Sequence, residues 1–227
     1  MKGKLYGVGV GPGDPELLTL KAVRLIKECE VVAIPANSKE KCVAYKIASQ
    51  VIENIDDKEF LYVHMPMTKD ENLLKESHNK ASEQIANILD SGKSIAFLTL
   101  GDPSIYSTYI YIHKLLLNKG YETEIISGIP SFCAASAKIN EGLVEKSEEL
   151  HIIPASYEIK EALKLKGTKV FMKSGKKIGE VKKAIKENKT RAIMVENCGM
   201  ENERVYKNLE DVKENASYYS LIIVKGE

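Results

Sequence analysis

Two aspartates with the same neighbours are the side chains best placed for chemistry: Asp14 in Gly13-Asp14-Pro15 and Asp102 in Gly101-Asp102-Pro103. Each follows an apolar run that reads as a strand, Leu5–Val10 before the first and Ser94–Leu100 before the second, and each precedes a helix-like stretch. Aspartate at a helix N-cap accepts hydrogen bonds from free first-turn amides, and proline at the next position loses no needed donor. Glycine ahead of them lets backbone approach backbone or ligand. The two turns therefore fall at carboxyl ends of strands, where open α/β sheets bind ligands. Both aspartates can also serve as helix caps alone, and for Asp14 capping is the favoured reading.

The elements that must hold these turns alternate. Apolar β-branched runs near 4–10, 30–34, 59–63, 94–100 and 122–126 predict strands, with helices near 15–28, 40–53, 70–91 and 103–119. Such alternation predicts a mostly parallel five-stranded sheet with helices on both sides. The small apolar run Pro130–Ala137, after the turn Ser127-Gly128-Ile129-Pro130, predicts a closely packed helix. Beyond it, candidate strands lie at 149–153, 168–172, 191–196, 203–206 and 218–224, with helices near 157–164 and 176–188. Several of these strands follow one another without helices, which predicts a mixed sheet. The expected fold class is two α/β domains, 1–124 and 125–227, with an interdomain cleft suited to a small molecule.

The glycine-rich opening, Gly7-Val-Gly-Val-Gly-Pro-Gly-Asp14, invites a nucleotide reading that the details refuse. A dinucleotide fingerprint starting at Gly7 needs glycine where Pro12 stands, and one starting at Gly9 needs it where Asp14 stands. The second strand, Val31–Pro35, ends with no acid for a ribose. A phosphate loop needs Gly-Lys-Ser/Thr where this chain has Gly-Asp-Pro, and Asp14 repels the anion that a helix start attracts. A ligand carrying positive charge suits the aspartates better.

Composition narrows the classes further. A formal net charge of +1 offers no global attraction for nucleic acid or an anionic membrane. No apolar run approaches the ~20 residues that cross a bilayer. The chain has 227 residues, 44% hydrophobic and 29% charged, enough to bury a core as one large or two small soluble domains. Met1-Lys-Gly-Lys4 runs straight into a strand, which argues against a signal peptide. Cys29, Cys42, Cys133 and Cys198 contain no Cys-x-x-Cys pair and read as reduced cytoplasmic thiols. His64, His78, His113 and His151 lack metal-ligand spacing, so no protein-bound metal is expected. The lysine-rich stretch 160–191 reads either as a solvated face or as a rim that attracts a polyanion.

Four segments in order resemble the tetrapyrrole methylase family over essentially the whole chain: Gly7–Lys21, Thr99-Leu-Gly-Asp-Pro-Ser-Ile-Tyr-Ser107, Ser127-Gly-Ile-Pro-Ser-Phe132 and Val195-Glu-Asn197. Within the family, Met65-Pro-Met-Thr-Lys-Asp70 and Tyr218-Tyr-Ser-Leu-Ile-Ile-Val-Lys225 resemble the branch that methylates the C-20 meso carbon of precorrin-2, in the form that acts on the cobalt-loaded substrate. The resemblance implies a homodimeric C-methyltransferase of cobalamin biosynthesis, with S-adenosylmethionine as methyl donor bound folded in the cleft. It implies a tetrapyrrole substrate, (cobalt-)precorrin-2 or cobalt-factor II, and any cobalt arrives within it. Carried over by position, Pro12 lies by the donor, and Leu100, Gly101 and Asp102 line it, with the Gly101 backbone and the Asp102 carboxylate near its methionine or ribose part. Ile105 and Tyr106 follow on the next turn, and Pro130 and Ser131 match the pair after the Gly-Ile turn. Met172 matches a residue beside the adenine, Cys198 contributes backbone only, and Ser220 and Leu221 on the last strand are expected to touch adenine. The uroporphyrinogen-methylating branch has an acid/base aspartate just after the second strand. Here Pro35 stands there, so no catalytic base is assigned.

Methyl transfer from a sulfonium needs nucleophile, methyl carbon and sulfur in line, and the donor brings its own activation. The expected contribution of the protein is positioning and exclusion of water. Lys69, Lys138, Lys146, Lys173, Lys176 and Arg204 are candidate partners for substrate carboxylates. Tyr106, Tyr109 and Tyr111 could pack on a macrocycle, although helix geometry keeps them from all facing one way. His64 and His151 are the candidates to touch a substrate cobalt. The same fold could methylate RNA or protein, which neutral charge, no Trp and only 4 Phe disfavour. A non-catalytic module that senses the donor or a tetrapyrrole is the reading from another class. No nucleic-acid or membrane partner is expected.

Overall fold

Val31-Val-Ala-Ile34 and Ile95-Ala-Phe-Leu-Thr99 are apolar at almost every position, the pattern of strands buried on both faces. The computed structural model describes residues 2–66, 68–154, 157–173, 178–188, 190–212 and 216–226. The chain divides into two compact units, Met1–Pro130 and Ser131–Glu227.

The first unit holds β1 (Leu5–Gly9), β2 (Val31–Ile34), β3 (Glu59–Tyr62), β4 (Ile95–Thr99) and β5 (Thr123–Ile126). They pair in the order β3-β2-β4-β1-β5, all parallel. Helices α1 (Leu20–Glu28) and α2 (Val43–Ala48) cover one face, and α3 (Glu71–Asp90) and α4 (Tyr109–Asn118) the other. Alternation along β4 divides the work: Ala96 and Leu98 pack with Leu25, Ile26 and Ile47, while Ile95 and Phe97 pack with Ile85, Leu89 and Ile112. The chain leaves β1 toward the α1 face and β2, and leaves β4 toward the α4 face and β5. Neighbouring strands whose connections depart in opposite directions form the topological switch point of such a sheet. Both Gly-Asp-Pro turns lie there.

Neither turn opens a long helix directly. Asp14 caps only the 3-10 turn Pro15–Leu17, Leu18 is extended, and Thr19 caps α1 by accepting from the Ala22 amide at 3.2 Å. The expected helix over 103–119 begins only at Tyr109. The Asp102 side chain takes the Ser104 amide into a tight turn, and Tyr106 adopts a left-handed φ of 47°, which a helix cannot contain. The helix expected near 40–53 is likewise reduced to Val43–Ala48 after the 3-10 turn Lys39–Lys41.

The second unit begins with α5 (Ser131–Ile139). It continues with β6 (Leu150–Pro154), α6 (Ile159–Leu163), β7 (Thr168–Met172), α7 (Ile178–Asn188), β8 (Ala192–Glu196), β9 (Arg204–Tyr206) and β10 (Ser220–Val224). The order is β6-β7-β10-β8-β9; only β6 and β7 pair in parallel, so the expected mixed sheet is present. Ile159, Ala162, Val181 and Ile185 from α6 and α7 pack on Phe171, Met194 and Ile222. Helix α5 lies against β10. No helix among the described residues is long and apolar enough to cross a membrane.

Candidate active site

Three backbone segments build the mouth of the first sheet. Gly11 and Gly101 form an antiparallel bridge, the Gly101 amide donating to Gly11 O at 2.8 Å and the Gly11 amide to Gly101 O at 3.3 Å. Their φ angles, 77° and 72°, lie where a side chain is costly. Gly128, just after β5, approaches so closely that a Cβ on it would sit 2.2 Å from Gly101 O.

Asp102 locks these segments from inside. It is only 8% exposed. Its Oδ2 accepts from the Gly128 amide at 3.0 Å, and its Oδ1 accepts from the Ser104 amide at 2.7 Å and the Ser104 hydroxyl at 2.5 Å. Three donors on one buried carboxylate offset the cost of taking it out of water. The Ile105 amide donates to Asp102 O at 3.2 Å, which draws Ile105 into the same turn. Asp14 instead accepts from the Glu16 amide at 2.9 Å in an exposed setting.

The first unit thus gathers Pro12, Leu100, Gly101, Asp102 and Ile105 at one sheet end. Pro12 is buried beside the bridge, Leu100 and Ile105 are half-buried, and Tyr106 is exposed. Pro130 follows Gly128 by two residues and closes the unit. Gly128 was legible as a turn residue and Ser104 was expected in the helix over 103–119; nothing in their spacing marks them as the partners of Asp102.

In the second unit, strand register brings the expected residues to one end of the sheet. Met172 faces Leu221, and Ser220 faces Glu196. Asn197, with φ 52°, turns the chain after β8, its amide donating to Tyr219 O at 3.0 Å, so the half-buried Cys198 enters at that same end. Glu196 is the buried acid there, accepting from the Ser217 amide at 2.5 Å and the Tyr206 hydroxyl at 3.3 Å. In the sequence Glu196 is marked only by its place in the Val195-Glu-Asn197 segment. Ser220 is 3% exposed, yet its hydroxyl has no hydrogen-bond partner among the described residues. Ser131 opens α5.

The proposed cations are unevenly placed. Lys138 pairs with Glu203 at 2.5 Å. Burial pushes the Glu203 carboxyl up, but Lys138 and the Gly199 amide outweigh it and hold it below its usual value. Arg204 faces Glu196 in the β8–β9 register, and Lys173 reaches the Tyr218 ring at 5.7 Å. Lys69 and Lys146 are exposed, and Lys176 lies outside the described residues. The lysine-rich stretch lines a groove of about 610 Å³ between α7 and Lys207–Glu210. Of its lining cations, Lys182 donates to Val212 O, Lys186 pairs with Glu210 and Arg191 with Glu141.

The three tyrosines do separate, Tyr109 and Tyr111 by their positions in α4 and Tyr106 because it lies before that helix. Tyr109 is buried with its hydroxyl on Glu124 O at 3.2 Å, and burial raises its phenol well above the usual range. Tyr111 stacks on His78 at 5.0 Å, and Tyr106 is 49% exposed. His64 approaches Asn37 at 3.4 Å, and His151 bonds Lys166 O at 2.9 Å. Among the described residues no three His, Cys, Asp or Glu side chains are grouped to hold a metal ion.

A parallel sheet with a glycine-built mouth at its switch point, lacking both nucleotide fingerprints, places the protein among the open α/β folds that bind ligands at the carboxyl ends of their strands. More narrowly, the chain belongs to the tetrapyrrole (corrin/porphyrin) methylases, whose family description matches residues 4–213, and it is a methyltransferase. It is 36% identical over 227 residues to the probable cobalt-precorrin-2 C(20)-methyltransferase of Methanocaldococcus jannaschii, covering 98% of this chain and 96% of that protein. It is 30% identical over 237 residues to the precorrin-2 C(20)-methyltransferase of Sinorhizobium sp, covering 99% and 96%. Its fold matches the uroporphyrin-III C-methyl transferase of Thermus thermophilus complexed with S-adenyl homocysteine, with a TM-score of 0.73 and 22% identity over 98% of this chain and 97% of that one.

Proposed function

We propose that this protein transfers a methyl group from S-adenosylmethionine to C-20 of precorrin-2 or its cobalt-loaded form, cobalt-factor II included, in cobalamin biosynthesis. The observation that carries this reading is near full-length similarity to two proteins named for that reaction. The donor, when bound, supplies an electrophilic methyl group on a sulfonium.

The residues present fit such a ligand. The buried Ser220 hydroxyl, without a hydrogen-bond partner among the described residues, stands at the strand end expected to meet adenine, next to Leu221, which faces Met172 in register. In the first unit, the Gly101 backbone, Pro12, Leu100, Ile105 and Tyr106 offer a surface for the donor's methionine and ribose part. Pro130, Ser131 and the Cys198 backbone complete the proposed contacts. Asp102 acts as a positioning residue: its carboxylate is committed to Gly128 and Ser104 and fixes where the Gly101 backbone stands. Proline at 35, just after β2, leaves that point without an acid or base. The chain's contribution to the transfer is therefore orientation and exclusion of water, and none of its residues is assigned as the base for the proton that leaves C-20.

The protein is proposed to act in the cytoplasm and as a homodimer; light scattering of the purified protein tests the dimer. For the reaction, the protein is incubated with S-adenosylmethionine and either precorrin-2 or cobalt-factor II, and the tetrapyrrole is weighed by mass spectrometry. A gain of one methyl group supports the reading, and the better substrate fixes the metal state. Tight binding of both ligands with no gain would favour a sensing module instead.

A further inference from the structure

Thr99 is the last residue of β4, directly before Leu100 and Gly101. It is 7% exposed, and its hydroxyl has no hydrogen-bond partner among the described residues. Among the described residues the other such atoms are Ser220 Oγ and His78 Nε2, and His78 is stacked on Tyr111. Two of the three therefore sit at strand ends that carry proposed donor contacts.

The fold explains why nothing nearby satisfies this hydroxyl. The residue facing Thr99 on β1 is Gly9, which has no side chain to offer, and a Cβ there would lie 2.6 Å from the Gly128 amide nitrogen. The surrounding amides are already used. Val10 donates to Thr99 O at 3.0 Å, Gly101 and Gly11 donate to each other, and Gly128 donates to Asp102. A buried hydroxyl left unpaired is a net cost, and valine would fill the same shape in a strand without it.

We propose that the Thr99 hydroxyl is a binding contact for the methyl donor, pairing with a polar group of its amino-acid or ribose part and positioning it at the mouth of the first sheet. This rests on the donor-binding reading above. The hydroxyl belongs to the same strand end as the Leu100 and Gly101 backbone, so one ligand can reach all three.

The test uses Thr99→Val, Thr99→Ala and Thr99→Ser, titrated calorimetrically with S-adenosylhomocysteine and melted without ligand. Loss of one hydrogen bond predicts about three- to tenfold weaker binding for Thr99→Val and Thr99→Ala, and Thr99→Ser within about twofold of the parent. The ligand-free melting temperature of Thr99→Val stays level or rises, because the unpaired hydroxyl is gone. In turnover, KM for the donor rises while KM for the tetrapyrrole holds. Unchanged affinity in Thr99→Val and Thr99→Ala overturns the proposal, as does a ligand-free melting temperature that falls in Thr99→Val and recovers in Thr99→Ser. Failure of the unsubstituted protein to bind S-adenosylhomocysteine is a separate result, which removes the donor-site reading and this contact with it.

Discussion

The two Gly-Asp-Pro turns carry the same three residues and are held in opposite ways. Asp102 is buried, ties three donors to one carboxylate and fixes Gly128 against Gly101. Asp14 is more open, accepts from the Glu16 amide and supports a three-residue turn. The helix beyond the first turn is secured elsewhere, by Thr19 at its cap and by Lys21 reaching Glu124 on β5. The difference lies in the partner segments. Gly101 is crowded by the chain after β5, whereas the Asp14 carboxylate is bonded within its own turn, to the Glu16 amide. Local sequence sets the turn, and the long-range neighbour decides whether its aspartate is a cap or a keystone.

The hardest blow to the second turn is Gly128→Ala. Its new Cβ meets Gly101 O at 2.2 Å, backbone against backbone, and neither side can step away without breaking the Gly11–Gly101 bridge. A loss of about 3 kcal/mol is expected from urea melts, with donor binding falling alongside. Gly179→Ala is the control. It is the second residue of α7 with nothing within 4 Å of its Cβ, and is expected to gain no more than about 0.5 kcal/mol from helix propensity. Equal effects at the two glycines would show that the close approach is not a constraint.

Asp102→Ala is next. It strands the buried Gly128 amide and is expected to cost about 2–3 kcal/mol. Thr19→Ala is expected to cost about 1 kcal/mol, and Asp14→Ala about 0.5 kcal/mol, because its cap serves so short a turn. Chemical denaturation of the three variants orders them. If Asp14→Ala matches Asp102→Ala, the distinction between cap and keystone fails.

That ordering also marks how far the sequence could be read. Strand positions were legible to within a residue or two because buried parallel strands are apolar runs, and Met172, Ser220 and Leu221 share a sheet end because β7 and β10 pair there. The helix after Pro103 was not legible as broken. Its cause is the Asp102–Ser104 turn and the left-handed Tyr106, which helical periodicity does not register. The Asp102–Gly128 bond spans 26 residues and depends on β5 docking beside β1. Glu196 was visible in a motif, but its burial follows from β8 lying between β10 and β9. Contacts made by pleat and period were readable, and contacts made by loops meeting were not.

The smallest expected effect concerns the charge that steadies the first turn from outside. Glu124 binds Lys21 at 2.7 Å and Lys4 at 2.8 Å, and these two ammonium groups hold its carboxyl at about 2, below the ordinary 4.5. A carboxyl depressed by folding stabilises fully above its ordinary value. That contribution fades as pH falls from 4.5 through about 2. The side chain is 34% exposed, so solvent screens the pairs and the gain is about 0.5–1 kcal/mol at low salt, less at 1 M. Glu124→Gln should therefore equal the parent at pH 2 in urea melts, fall below it by that amount at pH 6, and lose most of the gap in high salt. Asp102→Ala should keep its deficit at pH 6 whatever the salt, because its partners are buried amides and a hydroxyl. If high salt instead narrows the Asp102 deficit and leaves the Glu124 gap intact, the assignment of inside and outside support to the two turns is reversed.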